Sequence, residues 1–271
     1  MEDLSPRMNE PPVSNGVADL RLEAVSQVFA SARGPVPAVD NVTFDVAPGR
    51  FVGLVGPSGC GKSSLLLMMA GLLAPTAGRV LVRGRQITKP QPTDIGVVFQ
   101  ESSLLPWKTA AENVEFPLAL RGVDPKVRRS SALKMLELVG LKDFVDRRPH
   151  ELSGGMKQRV AVARGFCQDP RILLMDEPFA ALDEQTRMTL GDELLHIWDQ
   201  HKKTVVFVTH GLTEAVYLCD EVLVMGARPG RILKRLTIDL PRPRTYEMMA
   251  TEKFGRLRDE MWQLIRTAKQ T

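Results

Sequence analysis

The stretch GPSGCGKS at residues 56–63 has the residue types and spacing of a phosphate-binding loop. Its glycines let backbone N–H groups curl inward around phosphate oxygens, and a helix that begins directly after the loop adds partial positive charge. We expect Lys62 to reach the β and γ phosphates of a nucleotide, and the Ser63 hydroxyl to bind Mg²⁺. The predicted nucleotide contacts are Gly56, Pro57, Ser58, Gly59, Cys60, Gly61, Lys62, Ser63 and Ser64.

Two adjacent acids, Asp176 and Glu177, end the apolar stretch in RILLMDEP at residues 171–178. A strand this apolar is expected to be buried, so two acids at its end need a reason. We predict that Asp176 lies in the Mg²⁺ shell and that Glu177 orients and deprotonates the water that attacks a γ-phosphate. Acids also cap turns and helices after strands, and this alternative loses weight because the chain carries the phosphate loop as well.

Two further polar residues follow apolar strands, Gln100 after IGVVF and His210 after VVFVT. In a parallel sheet the carboxyl ends of strands meet at one edge, so both side chains are expected near Asp176. We predict that Gln100 contacts Mg²⁺ or the attacking water, and that His210 contacts the γ-phosphate. A lone histidine is more often structural, and the glutamine alone would mean little.

A second candidate anion site is LSGGMKQ at residues 152–158. Ser153 is an apt N-cap for the helix that follows, and Gly154 and Gly155 allow backbone donors to approach an anion closely. The alternative is a capped helix with a flexible entry. One chain with a complete phosphate loop has no evident use for a second one, and this raises the question of what completes the second site.

An α/β core is predicted to position these residues, because apolar strands alternate with helical segments along the chain. Ahead of that core, Leu20, Leu22 and Ala24 and then VTFDV (42–46) suggest half-buried strands. Between Gln100 and Asp169 the segments are helical with no convincing strand, so we predict an inserted α-helical subdomain over about 101–169. A buried parallel strand is predicted at 51–56, and the further predicted strands are 78–84, 95–100, 171–176, 204–210 and 221–226.

The predicted organisation is a disordered tail over residues 1–18, a nucleotide-binding domain over 19–243 and an amphipathic C-terminal helix over 244–271. The tail is polar and proline-rich. In the last helix an apolar stripe recurs at spacings of three and four residues, which usually means packing onto the helix's own domain, with a regulatory contact as the alternative. The stripe consists of Phe254, Leu257, Met261, Leu264 and Ile265.

Composition excludes several classes of protein. The chain has 271 residues, 44% hydrophobic and 25% charged, which is ordinary globular material. Its longest apolar run, at 65–74, is too short to span a membrane, and the first residues do not resemble a secretory signal. Three separated cysteines argue against disulfides or a zinc site. The net charge of +4 is dispersed, so nucleic-acid binding is not expected.

By these motifs and their order, the chain resembles the ATP-binding-cassette ATPases from Leu20 to about Ile238. GPSGCGKS is similar to the Walker A loop, Gln100 to the Q-loop glutamine, LSGGMKQ to the signature, ILLMDE to the Walker B strand with its catalytic glutamate, AALD (180–183) to the D-loop, and His210 to the switch histidine. Phe29 falls where the family has an aromatic that stacks on adenine, with core packing as the alternative. Ala180 and Met156 depart slightly from the family pattern.

The resemblance implies a fold and a mechanism. The fold is α/β, a P-loop NTPase core of the RecA-like type with an N-terminal antiparallel β subdomain and the helical insert. Two such chains form a head-to-tail homodimer, in which each ATP lies between the Walker A loop of one chain and the signature helix of the other. Asp183 is then expected to communicate across that interface, with ATP and Mg²⁺ as the bound species.

Within the family, two stretches resemble importer ATPases for nitrate, sulfonate, taurine and bicarbonate: SSLLPWKTAAENVEFPL (102–118), and MGARPGRI (225–232) with the downstream IDLPRPR. The first implies a contact with transmembrane permease subunits through Leu104, Leu105 and Trp107, unless these side chains are buried in the helical subdomain. A solute-binding protein is then an indirect partner. The expected location is peripheral, on the cytoplasmic face of the inner membrane.

Two other functions compete with that of an importer ATPase. A non-transport cassette acting on nucleic acid or ribosomes usually carries long coiled coils or two cassettes in one chain, and this chain has neither. A P-loop kinase leaves LSGGMKQ and His210 without a purpose. The importer ATPase is therefore the preferred hypothesis.

Overall fold

The computed structural model describes residues 17–32, 34–180 and 182–268, so nearly all of the tail predicted for 1–18 lies outside the described residues. The strands are β1 (Leu20–Phe29), β2 (Val36–Val46), β3 (Phe51–Val55), β4 (Ala77–Val82), β5 (Arg85–Gln86), β6 (Ile95–Val98), β7 (Ile172–Asp176), β8 (Thr204–Thr209), β9 (Glu221–Met225) and β10 (Ile232–Thr237). The helices are α1 (Lys62–Met69), α2 (Ala110–Leu120), α3 (Pro125–Leu138), α4 (Gly154–Cys167), α5 (Glu184–His201), α6 (Leu212–Leu218) and α7 (Glu252–Ala268).

A six-stranded sheet forms the centre, with the strand order β10-β9-β3-β8-β7-β6. Its strands run parallel from β6 to β9, whereas β10 is antiparallel to β9. β3, β7 and β8 are buried along their whole length, as expected for parallel strands covered on both faces. Their carboxyl ends meet at one edge, where Val55, Asp176 and Thr209 are the last strand residues.

Alternate residues of these strands pack on opposite faces of the sheet. On one face the Phe51 ring lies 5.7 Å from the Trp198 ring of α5 and 5.8 Å from the Phe207 ring. On the other face, Leu54 belongs to the cluster that contains Leu65 of α1 and the buried side chains of the antiparallel sheet. Strand periodicity alone therefore distributes the apolar residues between two cores.

The antiparallel sheet has the strand order β2-β1-β4-β5. Asp19, just before β1, is 2% exposed. It accepts hydrogen bonds from Arg171 Nε and from Thr204 Oγ1, both at 2.6 Å. These bonds tie the antiparallel sheet to the starts of β7 and β8. The two sheets and the helices between β6 and β7 confirm the predicted fold class.

The helical insert consists of α2, α3 and α4, and no strand occurs between Gln100 and Asp169. Its entry loop is held by the buried Asn113, whose amide donates to the backbone oxygens of Leu105, Lys108 and Thr109 at 2.9 to 3.2 Å. The Asn113 carbonyl accepts from Leu105 N–H at 2.7 Å. One buried amide therefore fixes the loop that precedes α2.

The C-terminal helix begins at Glu252 and not at residue 244, because the residues before it are committed to other contacts. Arg244 is buried, and its guanidinium donates to the backbone oxygens of Val216, Tyr217 and Cys219 at 2.9, 2.9 and 2.6 Å. Burial lowers the pKa of Arg244 to about 10. The guanidinium thus satisfies the carbonyls at the C-terminal end of α6, which lack intrahelical partners.

The stripe predicted along the last helix packs against the main core. Phe254 and Met261 are completely or almost completely buried, and Leu257, Leu264 and Ile265 pack against the same cluster from its margin. This helix therefore covers its own domain. Among the described residues, none of the helices has the length and apolar character needed to cross a bilayer.

Candidate functional site

The phosphate loop, residues 56–63, connects β3 to α1 at the carboxyl edge of the sheet. Gly61 precedes α1 with φ of 92°, and a Cβ there would lie 2.7 Å from Val39 Cγ2 and 2.8 Å from the Ala38 oxygen. Only glycine combines this backbone with such close packing against β2. No side chain caps α1, so its first N–H groups are available to an anion.

Lys62 lies inside the loop and is 6% exposed. Its ammonium donates to the backbone oxygens of Gly56 and Pro57 at 3.0 and 3.2 Å, and lies 3.9 Å from Glu177 Oε1. A buried ammonium requires such partners. The positive charge is therefore held at the point where the loop meets the end of β7.

Cys60 is fully buried, so its side chain faces the core and not the mouth of the loop. A Cβ on Gly56 would lie 2.8 Å from the Cys60 sulfur. Burial raises the pKa of this thiol, and the nearby Lys62 charge opposes that shift. Only the backbone of Cys60 remains a candidate for contact with a ligand.

Asp176 lies beside the loop with one carboxylate oxygen unsatisfied. The residue is 9% exposed, and Oδ1 has no hydrogen-bond partner among the described residues. The pKa of Asp176 is raised, mainly because the carboxyl is buried. A hydrogen bond with Ser63 and the charge of Lys62 oppose this shift, whereas the charge of Glu177 adds to it. A hydroxyl and an unsatisfied carboxylate oxygen are hard oxygen donors of the kind that Mg²⁺ prefers.

No cluster of three or more His, Cys, Asp or Glu side chains suited to a metal occurs in the described part of the chain. This is compatible with Mg²⁺, which usually binds through one or two protein oxygens together with waters and substrate phosphates. The residues present therefore fit a Mg²⁺ ion bound with a nucleotide.

Glu177 lies between two nitrogen groups. Its Oε2 is 2.8 Å from His210 Nδ1, and Oε1 faces Lys62. The backbone φ of Glu177 is 44°, uncommon outside glycine, and its N–H donates to the Val208 oxygen at 2.9 Å. The fold thus turns the carboxylate out of the strand toward the edge, while His210 is 59% exposed on its side chain.

Gln100 lies at the same edge, two residues beyond β6, where Val98 pairs with Met175 of β7. It is exposed. The segment around it is bound by α4, since Gln158 donates to the Phe99 oxygen at 3.3 Å. Arg164, also on α4, donates to the oxygens of Ser102 and Ser103 at 2.8 and 2.9 Å. These three hydrogen bonds, from Gln158 and Arg164, were not predicted from the sequence.

Ser153 and its glycines lie in a different place. The Ser153 hydroxyl accepts from Met156 N–H at 3.2 Å, which confirms it as the N-cap of α4. Asp183 caps α5 in the same way, and the hydrogen bond from Thr186 N–H lowers the pKa of its carboxyl. An open groove of about 460 Å³, here called the signature groove, is lined by Gly140, Leu141, Phe144, Ser153, Gly154, Gly155, Met156, Arg159, Leu182, Asp183 and Thr186.

None of the described residues that line the signature groove belongs to the phosphate loop. Ser153, Gly154 and Asp183 are exposed, and a Cβ on Gly154 would meet nothing within 4 Å. One chain therefore presents two separate surfaces that suit an anion. Ala181, in the middle of the predicted D-loop, lies outside the described residues.

Phe29 ends β1 and is 39% exposed, so it does not belong to the core. It pairs with Val36 of β2, and Ala38 of the same strand contacts the phosphate loop at Gly61. The ring is therefore on the rim of the antiparallel sheet, on the side of the loop. This position is compatible with stacking on a base.

The predicted permease contact is partly exposed. Trp107 is 67% exposed, whereas Leu104 and Leu105 are half-buried and Leu104 packs against the core. The two leucines are therefore partly buried in the helical subdomain, whereas the tryptophan is not.

Comparison with known sequences identifies close relatives. Residues 39–180 match a family model described as "ABC transporter". An uncharacterised ABC transporter ATP-binding protein of Methanocaldococcus jannaschii is 51% identical, covering 83% of this chain and 84% of that protein. The nitrate import ATP-binding protein of Synechocystis sp. is 44% identical, covering 91% and 95%. The taurine import ATP-binding protein of Rhizobium johnstonii is 43% identical, covering 92% and 97%.

A solved structure shares the fold. It is the dimeric, post-hydrolysis state of an ATP-binding cassette with ADP and phosphate bound, and it superposes with a TM-score of 0.74 at 31% identity. The match covers 82% of this chain and 100% of that one.

Proposed function

Because this chain belongs to the ABC transporter family of ATP-binding proteins, we propose that it is the ATP-hydrolysing subunit that energises a membrane importer. Its relatives include nitrate and taurine import ATP-binding proteins. The cargo class proposed for this chain is accordingly nitrate, a sulfonate, taurine or a related small solute. The protein acts at the cytoplasmic face of the inner membrane, as a peripheral subunit.

In this proposal the residues of the phosphate loop bind the ATP phosphates. The backbone N–H groups of the loop and of the first turn of α1 surround the β-phosphate. Lys62 gives up its hydrogen bonds to the backbone oxygens of Gly56 and Pro57 and binds phosphate oxygens in their place. Phe29 stacks on the adenine. The candidates for holding Mg²⁺ are Ser63, Asp176 and Gln100, and the ion supplies charge neutralisation on the phosphates.

Glu177 is the proposed general base. A carboxylate at this edge accepts a proton from the attacking water, and His210 holds the carboxylate through Nδ1 while its exposed ring contacts the γ-phosphate. Gln100 orients the same water. The observation that carries the proposal is the position of the Glu177 carboxylate between Lys62 and His210, beside the unsatisfied oxygen of Asp176.

The signature groove is proposed to complete the ATP site of a second copy. Ser153 and Gly154 are exposed at the start of α4, with Gly155 partly exposed beside them, and the groove they line contains no residue of the phosphate loop. Asp183 borders the same groove. The dimeric state of a structural relative supports a homodimer in which each ATP lies between two chains.

Glu177→Gln tests this proposal. The amide keeps the size and the contacts of the side chain but cannot accept the proton, so ATP turnover should fall by at least about 100-fold. ATP binding should persist, and size-exclusion chromatography with ATP should show a stable dimer. Glu137→Gln, an exposed position on α3, is the matched control and should behave as the parent. Turnover at the parental rate in Glu177→Gln would refute the mechanism.

Residues 102–118 are the proposed docking surface for the permease, which in turn meets the solute-binding protein. Trp107→Glu should reduce co-purification with the permease, because the exposed ring is the main apolar group offered there. Trp262→Glu changes another exposed tryptophan, which lies on α7 and is 51% exposed, and serves as the control. Equal co-purification of both variants would remove the surface from the proposal. Stimulation of the reconstituted ATPase by nitrate, taurine or an alkanesulfonate identifies the cargo.

A further inference from the structure

A line of polar contacts leads from the strand end at His210 toward the D-loop. Thr209 donates its hydroxyl to Glu214 Oε2 at 2.5 Å. The same hydroxyl accepts the Gly211 N–H at 2.9 Å. A Cβ on Gly211 would lie 2.9 Å from the Glu214 carboxyl carbon, so the carboxylate also packs tightly against this turn. Glu214 therefore fixes the residues on both sides of His210.

Arg187 continues this line into α5. Its Nε lies 3.2 Å from Glu214 Oε1, and its Nη2 donates to the Leu182 oxygen at 3.0 Å. Leu182 directly precedes Asp183, the residue that caps α5 and borders the signature groove. Two contacts of one guanidinium thus join the D-loop backbone to the helix that follows His210.

The pair is sheltered but not rigidly aligned. The Glu214 side chain is 14% exposed and that of Arg187 31%. The pKa of Glu214 is raised, mainly because the carboxyl is buried. The hydrogen bond from Thr209 and the charge of Arg187 oppose this shift. Arg187 Nε has no acceptor in hydrogen-bond geometry among the described residues, so the contact is an ion pair without an aligned bond. A shift of α5 that changes the distance between Arg187 and Glu214 changes the strength of this ion pair.

We propose that Arg187 and Glu214 are positioning residues, which transmit the position of the D-loop to His210 and hence to Glu177. The inference rests on the proposed function, in which the D-loop faces the partner cassette. When closure shifts Leu182 and Asp183, Arg187 follows the Leu182 carbonyl and Glu214 follows Arg187. Thr209 then sets the backbone at His210, whose ring holds the Glu177 carboxylate. Neither residue is among the proposed nucleotide contacts.

Steady-state ATPase kinetics test the role. Glu214→Gln keeps an oxygen acceptor for Thr209 but removes the charge, and Arg187→Met removes the guanidinium but keeps an unbranched stem. Each should lower kcat by about tenfold and change KM for ATP by less than about twofold, since nucleotide contacts are untouched. The double variant should be no slower than the slower single variant, because the pair acts as one unit. Combined with Glu177→Gln, Arg187→Met should still give the ATP-dependent dimer.

Arg235→Met is the matched control. It breaks the similarly buried ion pairs of Arg235 on β10 with Glu221 on β9 and Asp45 on β2, so kcat should stay parental. A parental kcat in Arg187→Met, multiplicative losses in the double variant, or losses matched by weaker nucleotide binding would overturn the positioning role alone. A wild-type protein without Mg²⁺-dependent ATPase activity would overturn the proposed function as well.

Discussion

Replacing Arg244 with methionine should destabilise the protein by about 3 kcal/mol, because three buried carbonyls lose their partner at about 1 kcal/mol each. The carbonyls belong to Val216, Tyr217 and Cys219, at the C-terminal end of α6. Removing the buried charge also removes its desolvation penalty, which favours the folded variant. Losing a cation at a helix C-terminus destabilises the variant by about 0.5 kcal/mol, so the two effects oppose each other. We therefore keep the estimate at about 3 kcal/mol.

A thermal melt followed by circular dichroism measures the effect. For a protein of this size, about 3 kcal/mol lowers Tm by about 6–12 °C. Arg258→Met is the control, because that side chain is half exposed and pairs with the adjacent Asp259, so its Tm should stay within about 2 °C of the parent. If Arg244→Met melts with the control, the guanidinium does not hold the end of α6 and the argument from buried carbonyls is wrong.

Two further predictions concern buried titratable groups at the site. Cys60 should react slowly with N-ethylmaleimide in the folded protein, because its thiol is fully buried with a raised pKa; mass spectrometry should find three adducts only after unfolding, and rapid native modification would contradict this. Asp176→Asn should raise the Tm of the nucleotide-free protein at pH 7. A carboxyl whose folded pKa is raised stabilises the fold below its ordinary value of 3.8 and loses that contribution as the pH rises through the folded pKa, so the gain in Tm should vanish toward pH 4.

Local patterns predicted much of the fold and the candidate positions at the site. Fully apolar runs such as ILLM in β7 and VVFV in β8 became buried parallel strands, and this placed Asp176, Glu177 and His210 at one edge. The glycines of the phosphate loop predicted its turn because few other residues allow that backbone.

Contacts between distant segments were not predictable. Arg187 and Glu214 are ordinary helix residues in the sequence, and only the packing of α5 beside α6 brings them together. The start of α7 was misplaced for the same reason. Arg244 does not begin the last helix, because its guanidinium binds the backbone of α6. The sequence around His210 contains one pattern that could have indicated the contact between Thr209 and Glu214. A hydroxyl residue directly precedes the histidine, and a carboxylate follows it four residues later.

The strand order has a consequence for how the protein is made. β3, which leads into the phosphate loop, lies between β8 and β9, and Asp19 is hydrogen-bonded to Thr204, 185 residues later. Synthesis runs from the N-terminus, so the ribosome releases GPSGCGKS long before either neighbouring strand exists. Pairing over such distances is also slow once the chain is complete. A nascent chain therefore carries its nucleotide-binding motif without a sheet to shape it, and gains the site only after β8 and β9 have emerged.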